Sequence, residues 1–221
     1  MAIRENLEAI EERISRACAR AGRRRDEITL VAVTKTFPAA VVREGYACGL
    51  RHFGENYVQE FEAKSAGLRD LADARFHFIG HLQSNKARRA AELFQVIQTL
   101  DSPKLARRLG ESPAPLEVFI EIRLSPEEAK CGADAAHLTE LVEEIRRLPA
   151  LRLTGLMTMP PWGEDPELAR PYFVRLRELA GRAGLAGLSM GMSNDFEVAI
   201  EEGATHIRLG AALFGPRRKK Q

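Results

Sequence analysis

Apolar residues fall on two periods along this chain, and the two alternate. Ile3, Leu7, Ile10, Ile14 and Ala17 recur at intervals of three and four, which makes one stripe of an amphipathic helix. Gly22 is a plausible stop, and Arg23, Arg24 and Arg25 follow it. ITLVAVTK at 28–35 is different: short, apolar and β-branched, bounded by charges and by Pro38. It reads as a strand buried on both faces. The alternation then repeats. Helices are predicted near 38–48, 55–68 and 85–94, and strands at 50–54, 76–81 and 96–100. Ser102-Pro103 opens a helix as an N-cap followed by a first-turn proline. LEVFIEIRL (116–124) is the longest strand candidate, and Asp134 can cap a helix running to about Arg147. Strands at 151–159, 187–191 and 205–210 alternate with helices at 166–183 and from Asn194 to Glu202.

Strands separated by helices pair in parallel through βαβ units. Eight of them behind one extra N-terminal helix predict an α/β fold, a single (β/α)8 barrel of the TIM type. One domain covers 1–221, with Pro113-Ala114-Pro115 and Pro160-Pro161 as loops rather than boundaries. A doubly wound open sheet is the alternative, weakened because no GxGxxG follows the first strand. Composition narrows the function classes. With 45% hydrophobic and 29% charged residues in 221, the chain is ordinarily globular. Lys+Arg 33 against Asp+Glu 31 leaves +2, too small a surplus to argue for a dedicated nucleic-acid binder. No apolar run approaches the ~20 residues of a membrane span, and the charged N-terminus lacks a signal peptide's apolar core. Cys18, Cys48 and Cys131, widely spaced and without a CxxC, suit reduced thiols in a cytoplasmic protein.

Barrel enzymes and binding proteins carry their chemistry at the C-terminal ends of strands. Lys35 ends the first strand. Desolvation there lowers an amine's pKa towards the neutral form that Schiff-base chemistry with an aldehyde requires. The plainer reading is a lysine whose head reaches water. The segment LSMGMSNDFEVAIEEGATHIRLGAALFG (188–215) carries a second signal. Gly191 and Ser193 close a strand and open a helix, where free N–H groups bind phosphate. Arg208-Leu209-Gly210-Ala211 adds a cation and further donors. A phosphorylated ligand carrying an aldehyde would join both signals. His77 and His81, four apart across a strand end, do not make a helix-type metal pair. No GxSxG nucleophile elbow is present. Arg23–Arg25 and the basic tail 216–220 read as solvated surface, and Met157, Met159, Met190 and Met192 read as core filling.

With these residues aligned, the sequence resembles the pyridoxal phosphate homeostasis protein family over nearly its whole length. LVAVTKTFP, RHFGENYVQE, FHFIGHLQSNK, GLMTMP, LSMGMSNDFEVAIEEGATHIRLG and ALFG carry the resemblance, in order. It implies the barrel of fold-type III pyridoxal phosphate proteins, as in the N-terminal domain of alanine racemase. It implies pyridoxal 5'-phosphate as cofactor and Lys35 as its aldimine lysine. Gly191, Ser193 and the backbone of Gly210 and Ala211 would hold the phosphate. Arg208 would face the pyridine nitrogen and keep it unprotonated, weakening the electron sink. Asn56 and Met159 would border the ring. Ala211 departs from the Thr or Ser usual in the family, removing one hydroxyl donor.

The implied function is intracellular vitamin B6 and amino-acid homeostasis, without catalytic turnover, with apo pyridoxal-phosphate enzymes as recipients. A weak amino-acid racemase is the alternative. Racemases and decarboxylases of this fold carry a C-terminal β domain that supplies a tyrosine or cysteine. Here the sequence reads to Gln221 soon after ALFG, so the expected second acid–base group has no obvious source. An RNA- or partner-binding role through the basic tail is the least supported reading.

Overall fold

The computed structural model describes residues 3–125 and 131–215. Eight parallel strands form the expected closed barrel. They are β1 (Thr29–Val33), β2 (His52–Glu55), β3 (Arg75–Phe78), β4 (Val96–Leu100), β5 (Leu116–Arg123), β7 (Leu151–Met157), β8 (Gly187–Ser189) and β9 (His206–Leu209). The order runs β4-β3-β2-β1-β9-β8-β7-β5, and pairing of β4 with β5 closes the ring. A further two-residue strand, β6 (Ala133–Asp134), extends the end of β5. So short a piece has no period to read in the sequence.

The helices are α1 (Ile3–Arg20), α2 (Ala39–Ala47), α3 (Val58–Ser65), α4 (Ala87–Leu93), α5 (Pro103–Gly110), α6 (Leu138–Arg146), α7 (Arg170–Ala183), α8 (Phe196–Glu201) and α9 (Ala211–Phe214). Ser102 caps α5 by accepting from the Leu105 N–H, as expected. The outward face of each strand packs on this helical layer. Leu116, Val118, Ile120 and Ile122 of β5 belong to that outer core. The inward face is set by the registers. Val31 pairs with His52 and Arg208, Gly54 with His77, Met157 with Ser189 and Glu121, and Ser189 with His206. Side chains paired in this way point to one side of the sheet. The barrel interior is therefore mixed: an apolar group of Val96, Phe119 and Met157 beside a line of polar groups.

α1 lies across α8 and α9. Asn6 donates to the Leu213 carbonyl at 2.8 Å, and Arg13 and Arg20 bond Glu197 and Glu201. The arginine run after it departs from the solvated surface expected. Arg23 donates to the Ile200 and Ala204 carbonyls, and Arg25 binds Glu11 and the Ile28 carbonyl. These carbonyls lie at the end of α8 and just before β1, so the two arginines tie α1 to the barrel. Only Arg24 stands in solvent, at 75% side-chain exposure. The other basic run, 216–220, lies outside the described residues.

Candidate active site

β3, β7 and β8 stop short of the ends predicted for them, at Phe78, Met157 and Ser189. The residues released in this way form the mouth of the barrel. A cavity of about 290 Å³ opens there. Lys35, Asn56, Met159, Ser193, Arg208, Gly210 and Ala211 all line it. Gly191 does not. Its φ of +90° lies in the region that favours glycine, and a Cβ would fall 2.5 Å from the Ala199 Cβ. Gly191 thus lets the loop pass against α8, and its carbonyl accepts the Arg208 N–H at 3.0 Å.

Lys35 sits in a turn held by buried charge. Thr36 has φ +68°, unusual for a β-branched residue. Its N–H donates to Glu60 at 2.6 Å. Lys64, from α3, donates to the Thr34 and Phe37 carbonyls at 3.0 Å each and pairs with Glu60 at 3.2 Å. The Lys64 ammonium also meets Glu55 at 2.7 Å, and the Thr34 hydroxyl donates to the same carboxylate oxygen. Burial raises the Glu55 carboxyl's pKa, opposed by Lys64 and Thr34. Lys64 was not singled out from sequence because a charged residue on a helix reads as surface.

Asn56 follows directly. A Cβ on Gly80 would lie 2.2 Å from the Asn56 carbonyl oxygen, so glycine lets the two strand ends close on each other. Among the described residues, the buried Asn56 Oδ1 has no hydrogen-bond partner.

Arg208 is 4% exposed. It donates to the Ser189 hydroxyl at 2.7 Å and to the Thr158 carbonyl at 3.0 Å. Burial lowers its pKa to about 10, against the pull of Asp195 and Glu121. It remains cationic at neutral pH. Asp195 stands at the N-cap position of α8 but makes no side-chain cap bond to the helix. Its carboxylate turns back to accept the Met192 N–H at 2.6 Å, closing the turn that presents Ser193. Beyond Gly210 the chain enters the one-turn helix α9, whose first N–H groups have no intrahelical acceptor.

Glu121, His81, Cys131 and Met192 also line the cavity. Glu121 was missed. Burial and the nearby Asp101 raise its carboxyl's pKa to about 7, with Arg208 opposing. A signal was available: Glu121 stands two residues after Phe119, so period two puts both inside. The methionines divide. Met157 and Met190 are buried in the core as expected, while Met159 and Met192 reach the mouth.

The sequence profile described as alanine racemase, N-terminal domain, matches residues 6–218. The pyridoxal phosphate homeostasis protein of Aquifex aeolicus is 46% identical, over 97% of this chain and 98% of its own length. That of Pseudomonas aeruginosa is 48% identical, over 97% and 96%. The chain belongs to the pyridoxal phosphate homeostasis protein family. Among solved structures, PipY of Synechococcus elongatus with PLP bound superimposes with a TM-score of 0.83 at 38% identity, covering 96% of this chain and all of PipY.

Proposed function

We propose that this protein binds pyridoxal 5'-phosphate, bonded covalently to the Lys35 amine, and serves vitamin B6 and amino-acid homeostasis by holding and releasing it rather than by turnover. One observation carries the reading: a single cavity is lined by a strand-end amine, a phosphate-type donor set and a buried arginine. The residues present fit the cofactor. The cavity is at the small end of the ~300–1,000 Å³ usual for small-molecule sites. Asn56 Oδ1 offers an acceptor that no described residue uses. Relatives named for pyridoxal phosphate homeostasis and the PLP-bound PipY support the same ligand.

When bound, the cofactor supplies an electrophilic aldehyde and a phosphate. The chain does the rest. Lys35 provides the nucleophilic amine. Ser193 and the free N–H groups around Gly210 and Ala211 receive the phosphate, with the missing hydroxyl at position 211 left to the backbone. Arg208 has only N–H donors, so it requires an acceptor opposite it. A ring nitrogen held as an acceptor withdraws electrons weakly, which supports binding over turnover. Met159 and Asn56 border the ring. Apo pyridoxal-phosphate enzymes are the recipients in this reading, within the cytoplasm. Among the described residues no helix is long and apolar enough to cross a membrane.

Glu121 favours a second reading, a weak amino-acid racemase. A carboxyl with a pKa near 7 in the same cavity is a competent acid–base group. Borohydride reduction of the yellow, loaded protein tests the first reading; the adduct should map to Lys35, and an adduct on another lysine overturns it. Mixing loaded protein with an apo-enzyme should restore that enzyme's activity. Exchange of amino-acid α-protons in D2O, abolished by Glu121→Gln, would instead establish the second reading.

A further inference from the structure

Behind Arg208 a line of polar side chains crosses the barrel interior. Arg208 donates to the Ser189 hydroxyl at 2.7 Å. Ser189 donates to Gln98 Oε1 at 2.7 Å. Gln98 Nε2 lies 2.9 Å from His77 Nδ1, and His77 Nε2 lies 2.9 Å from His52 Nδ1. Four strands contribute besides β9: β8, β4, β3 and β2. We propose that Ser189, Gln98, His77 and His52 form a one-directional hydrogen-bond chain that positions Arg208 in the cavity, and that the chain is whole only while both histidines are neutral. It deepens the reading of this cavity as a cofactor site and rests on that reading for the role of Arg208.

The direction follows from counting protons. A guanidinium can only donate, so Ser189 Oγ accepts from it. The single hydroxyl proton then needs an acceptor, and Gln98 Oε1 is the one within reach. That fixes the amide, leaving Nε2 to donate to His77 Nδ1. A neutral His77 therefore carries its proton on Nε2 and donates it to His52 Nδ1. His52 ends the chain with its proton on Nε2. Every bond points away from Arg208. Protonating His52 makes its Nδ1 a donor. His77 must then change tautomer and Gln98 must turn over. Ser189 Oγ would face two donors, and its own proton would lose its acceptor.

The surroundings favour the neutral state. Burial and Arg75 lower the His52 pKa; burial, His52, His206 and Arg75 hold His77 well below the usual range. His206 on β9, bonded to the Thr205 hydroxyl, is lowered to about 4. The charged groups facing this interior are Arg75 on β3, Glu117 on β5 at 2.9 Å from it, Arg152 on β7 bonded to the same Glu117 oxygen, Glu121 on β5 and Arg208 itself.

Two measurements decide it. In cofactor-free protein at pH 7, 15N NMR should show His77 and His52 protonated on Nε2 and bare on Nδ1. Gln98→Leu should leave His77 as a tautomer mixture. With pyridoxal 5'-phosphate as the probe, Gln98→Leu and Ser189→Ala should each raise Kd about tenfold, the worth of one positioned hydrogen bond. Wild-type Kd should also rise on acidification through the His52 titration seen by NMR. The Gln98 variant should lack that component, the cofactor's own titration cancelling between the two profiles. Should Gln98→Leu not fold, Gln98→Met takes its place, and the wild-type tautomers decide alone. His77 protonated on Nδ1 at pH 7, or unchanged Kd and pH profile in the variants, overturns the chain. Failure of the wild type to bind the probe overturns the functional reading instead, while the tautomer result still stands for or against the chain.

Discussion

Replacing Glu121 with glutamine removes a charge that the fold disfavours. The carboxyl is 5% exposed, and its pKa rises from an ordinary 4.5 to about 7 through burial and Asp101, although Arg208 stands nearby. A folded-state pKa above the unfolded one means the native state binds the proton more tightly. The associated stability is fully present below the unfolded pKa and is lost as pH rises through the folded pKa. Two and a half units correspond to about 3 kcal/mol when the group is fully ionised in both states. Between pH 6 and pH 8 the native protein should lose about 1.3 kcal/mol from this one group. Glu121→Gln keeps the size and polarity and has no such term. Urea unfolding of both cofactor-free proteins at pH 5, 6 and 8 should show the variant gaining on the wild type by that amount from pH 6 to 8, with a smaller difference at pH 5. Curves that stay parallel across the three pH values would refute the burial of a titrating carboxyl here.

Gly191→Ala should destabilise the fold by about 2–4 kcal/mol, from a Cβ forced onto Ala199 in a positive-φ conformation; a urea midpoint equal to wild type contradicts this packing. Lys64→Met should lower stability by about 3–5 kcal/mol, because it leaves Glu55 buried without its cation. Its loss should be larger at pH 8 than at pH 5: Glu55, already raised, would rise further, and protonation relieves it. A pH-independent loss in urea titrations would sink that explanation. Ser193→Asp should weaken pyridoxal 5'-phosphate binding by about 2 kcal/mol or more, through a carboxylate beside the phosphate. Ser102→Asp, at the cap of α5, should leave it unchanged; equal retention in a dialysis assay counts against Ser193.

The architecture was legible because helical and strand periods alternate cleanly from Ile3 to Leu209. β-branched runs such as ITLVAV mark strands buried on both sides. The cavity lining was legible for a narrower reason: strand-end residues of a barrel must meet at its mouth, so Lys35, Ser193 and Arg208 could be brought together from order alone, while Asn56 and Met159 rested on the family resemblance. What supports them was not. Lys64 reads as a helix-surface lysine until α3 is seen folded over the first strand's turn. Gln98 sits in VIQTL, an apolar run in which one amide carries no pattern. Gly191 was placed near the phosphate because glycine permits close backbone approach; it does so here, but towards α8.

The two groups that matter most in the cavity are held from different layers. Lys35 sits in a turn fixed from outside the strands, where Lys64 of α3 gathers the Thr34 and Phe37 carbonyls and two carboxylates. Arg208 is fixed from within the barrel by Ser189 and Thr158. A barrel interior packed only with branched apolar side chains would offer the guanidinium no acceptor, and burying it there would be prohibitive. The polar line through Gln98 and His77 answers that need and replaces part of the usual packing. Its consequence is a division of labour. The helix layer decides where the amine stands, and the interior decides where the guanidinium stands. On the proposed function, retention of the cofactor would vary through Arg208 without disturbing the turn that carries Lys35.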